Sequence, residues 1–207
     1  MKIICIGLNY SAHIKEMNKD LGFVKPEEPV IFMKPDTALI KDNQPFYYPS
    51  FSKNIHHEVE LVLKINKPGK NIQVQFANKY YDEIGIGIDF TARDLQAKLK
   101  EKGLPWEKSK AFDGAAVVGE FVNKKQFTDI NNVNFHLNIN GNIVQKGNTK
   151  SILTSFDEII SYVSQFFTLK TGDLIYTGTP EGVGPVKISD RLEAFIENQK
   201  MLDFEIK

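Results

Sequence analysis

The sequence predicts an α+β, mainly β fold: a mixed β-sheet with short inserted helices. Most apolar segments are short and alternate with period two, which is typical of half-buried strands. Helical periodicity is confined to a few short segments, and these do not alternate regularly with strands as in a βαβ repeat. The 207 residues show no break in composition. We therefore expect a single domain that spans residues 1–207.

In the N-terminal half, the predicted strands are apolar runs bounded by turn residues, at residues 2–7, 29–33, 38–40, 56–65 and 83–90. The predicted helices carry apolar residues three and four apart, at residues 10–17, 73–80 and 93–102. Asn9 could cap the first helix, and Gly103 ends the third. Residues 18–29 are polar, contain proline and lack periodicity. We expect residues 10–28 to form a lid, made of a helix and a loop.

In the C-terminal half, alternation is clearer. Residues 133–139 and 143–145 are predicted as two strands joined by a hairpin turn at Asn140-Gly141-Asn142. A helix over residues 152–163 and a strand over residues 173–176 follow. A final pair of strands is predicted within residues 192–206.

Composition limits the possible partners. Lys plus Arg equals Asp plus Glu at 26 each, so no net field of either sign would attract nucleic acid or an anionic membrane. The first residues enter a strand directly, and no apolar stretch is long enough to span a membrane. We expect a soluble cytoplasmic protein. Its single cysteine, Cys5, lies in an apolar run and is expected in the core.

Two carboxylates share one strand face. Glu58 and Glu60 are two residues apart, and side chains alternate across a strand, so they should lie side by side. Their mutual repulsion is tolerable on a face exposed to water, or around a cation that neutralises both. The segment alone leaves both interpretations open.

A third acid, Asp89, ends a strand whose other residues are small or apolar. A carboxylate that emerges from such a run needs a partner. The alternative is a helix cap for the segment that begins near Thr91, which the segment by itself favours. If Asp89 joined Glu58 and Glu60, three oxygen ligands without a His or Cys cluster would select Mg²⁺ or Mn²⁺ rather than zinc.

His13 and Glu16 are three residues apart and should share one face of the first helix. A carboxylate hydrogen-bonded to one imidazole nitrogen would orient the ring, so that the other nitrogen could take a proton from water. A solvated helix face is the more common explanation of this spacing, and the pattern alone favours it.

Three further features could contribute to a site. Arg93 opens a helix just past Asp89, and it is one of only two arginines beside 24 lysines. Such an arginine suggests a need for a fixed, forked donor geometry. Lys110, next to Phe112, could be a buried cation, although a surface position is the default for a lysine. The Gly-rich segment of residues 177–184 could offer backbone N–H groups to an anion, or it could be only a turn.

Taken in order, these segments resemble the fumarylacetoacetate hydrolase family from end to end. The matching motifs are Gly7-x-Asn9-Tyr10-x-x-His13-x-x-Glu16, Pro29-Val30-Ile31-Phe32-x-Lys34-Pro35, His57-Glu58-x-Glu60-Leu61, Asp89-x-Thr91-Ala92-Arg93-Asp94-x-Gln96, Asn140-Gly141 with Gln145, and Thr177-Gly178-Thr179-Pro180-x-Gly182-Val183-Gly184-Pro185. The short form most resembles the acylpyruvase and oxaloacetate decarboxylase branch. The resemblance implies the family's mixed β-sheet, or β-roll, fold.

The resemblance also implies roles for individual residues. Mg²⁺ or Mn²⁺ would be bound by Glu58, Glu60 and Asp89. Water and protons would be handled by His13 and Glu16, with Lys110 as a further catalytic cation. The substrate pocket would be lined by Arg93, Gln96, Lys110 and Thr179. Two positions depart from the family pattern: many relatives carry Arg at the position of Leu8 and Asn at the position of Ile88.

The expected activity is metal-dependent cleavage of a C–C bond in small 2-oxo acids, as acylpyruvate hydrolysis or oxaloacetate decarboxylation through a pyruvate enolate. One alternative is a tautomerase or isomerase of 2-oxo diacids such as oxaloacetate or 2-hydroxyhepta-2,4-diene-1,7-dioate, because the same enolate serves these reactions. Another is a dicarboxylate-binding protein without catalysis. The expected partners are the small substrate and, since relatives are commonly dimers, a second copy of the chain.

Overall fold

The computed structural model describes residues 1–21 and 26–207 of the chain. The strands in these ranges are β1 (Ile3–Gly7), β2 (Val30–Lys34), β3 (Leu39–Ile40), β4 (Ile55–His57), β5 (Val59–Ile65), β6 (Tyr81–Asp89), β7 (Thr91–Ala92), β8 (Ala116–Asn123), β9 (Asn134–Ile139), β10 (Asn142–Asn148), β11 (Leu174–Tyr176), β12 (Gly184–Pro185), β13 (Arg191–Ile196) and β14 (Gln199–Glu205). The α-helices are α1 (Ser11–Leu21), α2 (Val74–Ala77), α3 (Arg93–Glu101), α4 (Glu107–Lys110) and α5 (Phe156–Phe166). Within the described ranges, no helix combines the length and apolarity needed to cross a membrane.

The strands form three sheets. A seven-stranded sheet has the order β2-β1-β11-β5-β6-β8-β3, a four-stranded sheet the order β10-β9-β13-β14, and a three-stranded sheet the order β12-β4-β7. In the large sheet, β1 pairs with β11 and β3 with β8 in parallel, while its other neighbours are antiparallel. The mixed sheet with few short helices confirms the predicted fold class.

The main core lies between the seven-stranded and four-stranded sheets. Alternate residues of β9 and β13, including Phe135, Leu137 and Leu192, are fully buried against alternate residues of β5 and β6, such as Leu61 and Ile86. The period-two pattern of these strands therefore arises because one face of each strand packs on the core, as the sequence predicted.

The opposite face of the seven-stranded sheet carries a second, smaller cluster that includes the buried Cys5 and Tyr176. Because side chains alternate, burying Leu61 and Ile88 in the main core turns Glu60 and Asp89 to this second face. Strand pairing thus brings two carboxylates from distant parts of the chain to one end of the same surface.

Gly87 lies opposite Glu60 in the β5–β6 pair. A Cβ atom at Gly87 would stand 2.5 Å from the carbonyl oxygen of Val117 and 2.8 Å from the Tyr176 ring. We expect Gly87→Ala to lower the free energy of unfolding by about 1 to 3 kcal/mol, because overpacking forces the strands apart. Urea denaturation measures this. The matched control is Gly7→Ala, whose Cβ would meet only ordinary contacts from 3.6 Å; equal losses in the two variants would contradict the steric explanation.

The hairpin prediction is confirmed. β9 and β10 are joined by Asn140 and Gly141 with φ angles of 51° and 80°, and two positive φ angles are the mark of a type I′ turn. The helix predicted at residues 93–102 is confirmed as α3, and Gly103 follows its C-terminal cap with a φ of 63°. The final strand pair is β13 and β14.

Several predicted boundaries were wrong. The single strand predicted at residues 56–65 is two strands, because β4 pairs with β7 and β12 whereas β5 pairs with β6 and β11. Ala38 belongs to a short 3₁₀ turn rather than a strand. The helix predicted from residue 152 begins at Phe156, where Ser155 and Glu158 form a reciprocal capping box. The strand β8 was not predicted at all.

The predicted lid begins as expected with a helix, but α1 extends to Leu21, beyond the predicted end at residue 17. Asn9 was proposed as its cap. Its side chain instead accepts a hydrogen bond from the backbone of Thr154 and donates to the carbonyl oxygens of Thr154 and Thr177. Asn9 therefore joins the start of the lid to the Gly-rich loop. Residues 22–25 of the predicted lid lie outside the described residues.

Candidate active site

A cavity opens where the β4–β5 junction, the end of β6 and the start of α3 meet. All nine residues proposed for the site from the sequence lie at or beside it. Eight of them line the cavity: His13, Glu58, Glu60, Asp89, Arg93, Gln96, Lys110 and Thr179. The ninth, Glu16, is hydrogen-bonded to His13. Phe32 and Trp106 add an aromatic wall that was not predicted, and their rings meet edge to face.

Three buried carboxylates converge in this cavity. Glu58 lies at the break between β4 and β5, Glu60 within β5, and Asp89 at the last position of β6. Each is at most 5% exposed, which excludes the water-exposed strand face considered above. One oxygen from each lies within 4.8 Å of the others. Asp89 does not cap α3, because the capping position is Ala92.

Three cations lie against these carboxylates. Lys110 Nζ is 2.7 Å from Glu58 Oε2 and 2.8 Å from Asp89 Oδ2. Lys34 Nζ is 2.7 Å from Asp89 Oδ1 and also donates to the backbone carbonyl of Lys110. Arg93 Nη2 is 2.5 Å from Glu58 Oε1. The lysine side chains are buried, so the surface position considered for Lys110 is wrong.

The surroundings shift the pKa values of Glu58 and Glu60 in opposite directions. Burial acts to raise the pKa of Glu58, but the charges of Lys110 and Arg93 outweigh it and hold that pKa below its ordinary value. For Glu60, burial raises the pKa well above its ordinary value, and the carboxylates of Asp89 and Glu58 raise it further. Of these two carboxyl groups, Glu60 is the one whose ionisation an additional positive charge would favour.

The residues present fit a hard divalent cation. All the candidate ligand atoms are carboxylate oxygens, which Mg²⁺ and Mn²⁺ prefer. The hydrogen bond from the backbone N–H of Gly178 reaches only Glu60 Oε2, at 2.6 Å. The oxygens of Glu58 and Asp89 that face lysines retain a second lone pair each. Glu58, Glu60 and Asp89 could hold the ion while Lys34, Lys110 and Arg93 keep their positions.

His13 and Glu16 form the expected pair. His13 Nδ1 is 3.2 Å from Glu16 Oε2, and the His13 ring is buried at the cavity. The backbone N–H of Gly182 donates to both oxygens of Glu16, at 3.1 and 3.2 Å. Burial acts to raise the pKa of Glu16, but the hydrogen bonds from His13 and Gly182 outweigh it and lower that pKa. An ionised Glu16 tied to the Gly-rich loop fixes one face of the imidazole.

The residues proposed to bind substrate are held by one another. Gln96, buried in α3, accepts a hydrogen bond from Arg93 Nη1 at 2.6 Å. Because Arg93 bridges Gln96 and Glu58, its guanidinium is fixed in one orientation, which explains the choice of arginine in a lysine-rich chain. The amide oxygen of Gln96 is engaged, whereas its N–H donors have no protein partner among the described residues and could meet a ligand.

The Gly-rich loop does bind carboxylates, but the two identified are the protein's own. Gly178 donates to Glu60 and Gly182 to Glu16, and both glycines have positive φ angles, 100° and 93°. The loop is thus more than a turn: it connects the metal-binding candidates to the His13–Glu16 pair. The sequence left open whether the loop binds an anion or is only a turn, because a backbone donor does not reveal which carboxylate it meets.

The two departures from the family pattern fall in different environments. Leu8 lines the cavity with a φ of 59°, so the wall there carries an apolar side chain. Ile88 is fully buried in the main core, on the face of β6 opposite Asp89. Lys34 received no role from the sequence, although a lysine that ends an apolar strand and precedes proline was a usable signal.

Comparison with known proteins identifies the family to which the chain belongs. Residues 2–207 match the family described as fumarylacetoacetate (FAA) hydrolase C-terminal. The chain belongs to the fumarylacetoacetate hydrolase family. The curated family members it resembles include "Oxaloacetate tautomerase FAHD1, mitochondrial" of Mus musculus, 42% identical over 99% of this chain and 91% of the relative. Another is "Oxaloacetate tautomerase YcgM" of Escherichia coli (strain K12), 41% identical over 97% of this chain and 90% of the relative.

A solved family structure shares the fold throughout. The fumarylpyruvate hydrolase from Pseudomonas aeruginosa, in complex with Mn²⁺ and pyruvate, superimposes with a TM-score of 0.91 at 36% identity. The similarity covers 100% of this chain and 89% of that one. The fumarylacetoacetate hydrolase fold therefore extends over the full length described for this protein.

Proposed function

We propose that this protein is a divalent-metal-dependent enzyme that breaks a C–C bond next to the keto group of small 2-oxo acids. The preferred substrates are dicarboxylates such as oxaloacetate. The observation that carries the proposal is the buried trio of Glu58, Glu60 and Asp89, facing the same cavity as His13. The three relatives described above are named for activities on oxaloacetate or fumarylpyruvate, and these names support the substrate class.

Charge counting favours a dianion. The three carboxylates are matched by three cations, Lys34, Lys110 and Arg93. A divalent ion would leave an excess of two positive charges in a buried site, and a 2-oxo dicarboxylate neutralises that excess. An acylpyruvate with one carboxylate would leave one charge uncompensated.

The side chains have separate tasks in this proposal. A bound Mg²⁺ or Mn²⁺ would act as a Lewis acid toward the keto oxygen of the substrate. Arg93, the Gln96 amide and the Thr179 hydroxyl would hold the substrate's carboxylates. Lys110, a buried cation beside Phe32, would offset negative charge that develops during bond breaking.

Proton transfer falls to His13. With Nδ1 held by Glu16, the other ring nitrogen is available to remove a proton from water for hydrolysis, or from C3 of the substrate for tautomerisation. Decarboxylation needs neither step, because the departing CO₂ leaves without water. Tautomerisation of oxaloacetate is therefore the second candidate function, and the names of two relatives favour it.

Turnover of three substrates by metal-stripped protein, with and without added Mg²⁺ or Mn²⁺, tests the proposal. We expect metal-dependent kcat/KM values for oxaloacetate and fumarylpyruvate to exceed that for acetylpyruvate by roughly tenfold or more, since 1.4 kcal/mol suffices for that ratio. Enol loss and pyruvate formation, measured separately, distinguish tautomerisation from cleavage. A preference for acetylpyruvate would contradict the charge argument. Binding of oxalate without turnover of any substrate would indicate a dicarboxylate-binding protein.

We also propose that the protein is a cytoplasmic homodimer, as expected from the sequence. Analytical ultracentrifugation of the purified chain measures the oligomeric state directly, and a monomer at all concentrations would contradict the proposed dimer.

A further inference from the structure

Gln145 is a buried amide that makes four hydrogen bonds. Its oxygen is 2.9 Å from His57 Nδ1 and 3.0 Å from the backbone nitrogen of Val59. Its nitrogen is 2.9 Å from Thr179 Oγ1 and 3.0 Å from the carbonyl oxygen of Pro180. The side chain therefore joins the start of β5, next to Glu58, to the Gly-rich loop. Gln145 is 1% exposed and does not itself line the cavity.

The orientation of this amide is set by two backbone groups. The N–H of Val59 can only donate, so it must face the amide oxygen, and the carbonyl of Pro180 can only accept, so it must face the amide nitrogen. A flipped amide would place like groups together at both contacts. The backbone thus fixes which end of Gln145 meets Thr179.

A β-bulge puts Gln145 in this position. In the β9–β10 pair, Ile143 is opposite Asn138 and Gln145 is opposite Leu137, so Val144 is an extra residue. Gly182 packs on the bulge, where a Cβ atom would stand 2.5 Å from the carbonyl oxygen of Val144. The bulge and the Gly-rich loop are therefore in direct contact at the Gln145 side chain.

The consequence for Thr179 is a fixed hydrogen-bond polarity. An amide nitrogen can only donate, so Thr179 Oγ1 must accept from Gln145. The hydroxyl's own proton is then free for a second partner, and Thr179 lies on the cavity wall together with Arg93 and Lys110. An anionic oxygen in the cavity is the acceptor that such a hydroxyl would meet.

We propose that Gln145 is a positioning residue for substrate recognition: by donating to Thr179, it commits the Thr179 hydroxyl to donate to an anionic oxygen of the bound 2-oxo acid. The inference rests on the proposed function for the identity of the ligand. The polarity itself follows from the hydrogen bonds. Gln145 would act through Thr179 and would contact neither the substrate nor the metal.

Gln145→Glu tests this, because it keeps the shape of the side chain but replaces the donor with an oxygen that accepts the Thr179 proton. We expect the affinity of the Mn²⁺-loaded protein for oxalate, measured by calorimetry, to fall roughly 10- to 100-fold, the value of one hydrogen bond to a charged group. Affinity for Mn²⁺ alone should change little. In the Thr179→Val background, where no hydroxyl is present, Gln145→Glu should have less than about a twofold further effect. An equal loss in both backgrounds would overturn the proposal.

Neutron diffraction from crystals of the wild-type protein exchanged into D₂O provides a second measurement, which needs no folded variant. We expect the two amide deuterons of Gln145 to face Thr179 and Pro180, and the Thr179 deuteron to point into the cavity. A Thr179 deuteron directed at Gln145 would refute the inference. Failure of oxalate to bind the Mn²⁺-loaded wild-type protein would count against the proposed function instead, and the neutron result would then decide the polarity by itself.

Discussion

Replacing Glu60 by glutamine should abolish metal binding without weakening the fold. The Glu60 carboxyl is buried beside Asp89 and Glu58, and both carboxylates oppose its ionisation. A neutral amide removes that repulsion, while its oxygen can still accept from the N–H of Gly178. Affinity for Mn²⁺ should fall by more than about 100-fold, since loss of a residue that only supports a metal ligand already costs roughly 10- to 100-fold. Turnover at ordinary Mg²⁺ concentrations should be lost with it.

Calorimetric titration with Mn²⁺ and thermal unfolding with and without Mg²⁺ check this pair of effects. Metal binding to the native state raises the melting temperature of the wild-type protein by linkage, whereas the variant should show no such rise. The matched control is Glu83→Gln, in the neighbouring strand β6, where the side chain is half-exposed and paired with Lys64 of β5. If Mg²⁺ stabilised Glu60→Gln as strongly as the wild type, Glu60 would not be a ligand.

Local patterning predicted the elements whose structure depends on local chemistry. The Asn140-Gly141 turn and the end of α3 at Gly103 need positive φ angles, which such residues adopt at low cost. The break between β4 and β5 at Glu58 could not be predicted from local patterning. It exists because the residues on either side pair with strands from different sheets, and pairing partners distant in the chain leave no local signal.

The candidate site, like the fold, could be predicted only where it depends on local patterning. Strand periodicity correctly put Glu58 and Glu60 on one side of the chain, but it could not decide between water and a cation as their surroundings. Burial of these residues by the sheets decided it. Lys34 and Gln145 were quoted only as parts of motifs. Their roles depend on contacts 55 residues or more along the chain, with Asp89 and with His57 and Val59.

His13→Gln should slow some of the reactions that this cavity can support much more than others. Hydrolysis and tautomerisation both require a base at the position of the His13 ring, so their kcat values should fall about 10²- to 10⁴-fold, the usual contribution of general acid–base catalysis. Decarboxylation of oxaloacetate releases CO₂ without proton removal. Its rate should change by less than about tenfold, which corresponds to 1.4 kcal/mol in the barrier. Separate assays of enol loss, acyl release and pyruvate formation on one preparation measure all three.

Three comparisons test whether the result is specific to the imidazole. Mn²⁺ affinity of His13→Gln should equal that of the wild type, because His13 is outside the carboxylate trio. The control His136→Gln, at a histidine stacked on Phe195 away from the cavity, should leave all three rates unchanged. Glu16→Gln should follow His13→Gln with a smaller loss, since it retains the ring but removes the charge that orients it. A uniform loss of all three activities in His13→Gln would mean that the ring serves a step common to them, and the separation of proton transfer from decarboxylation would then be wrong.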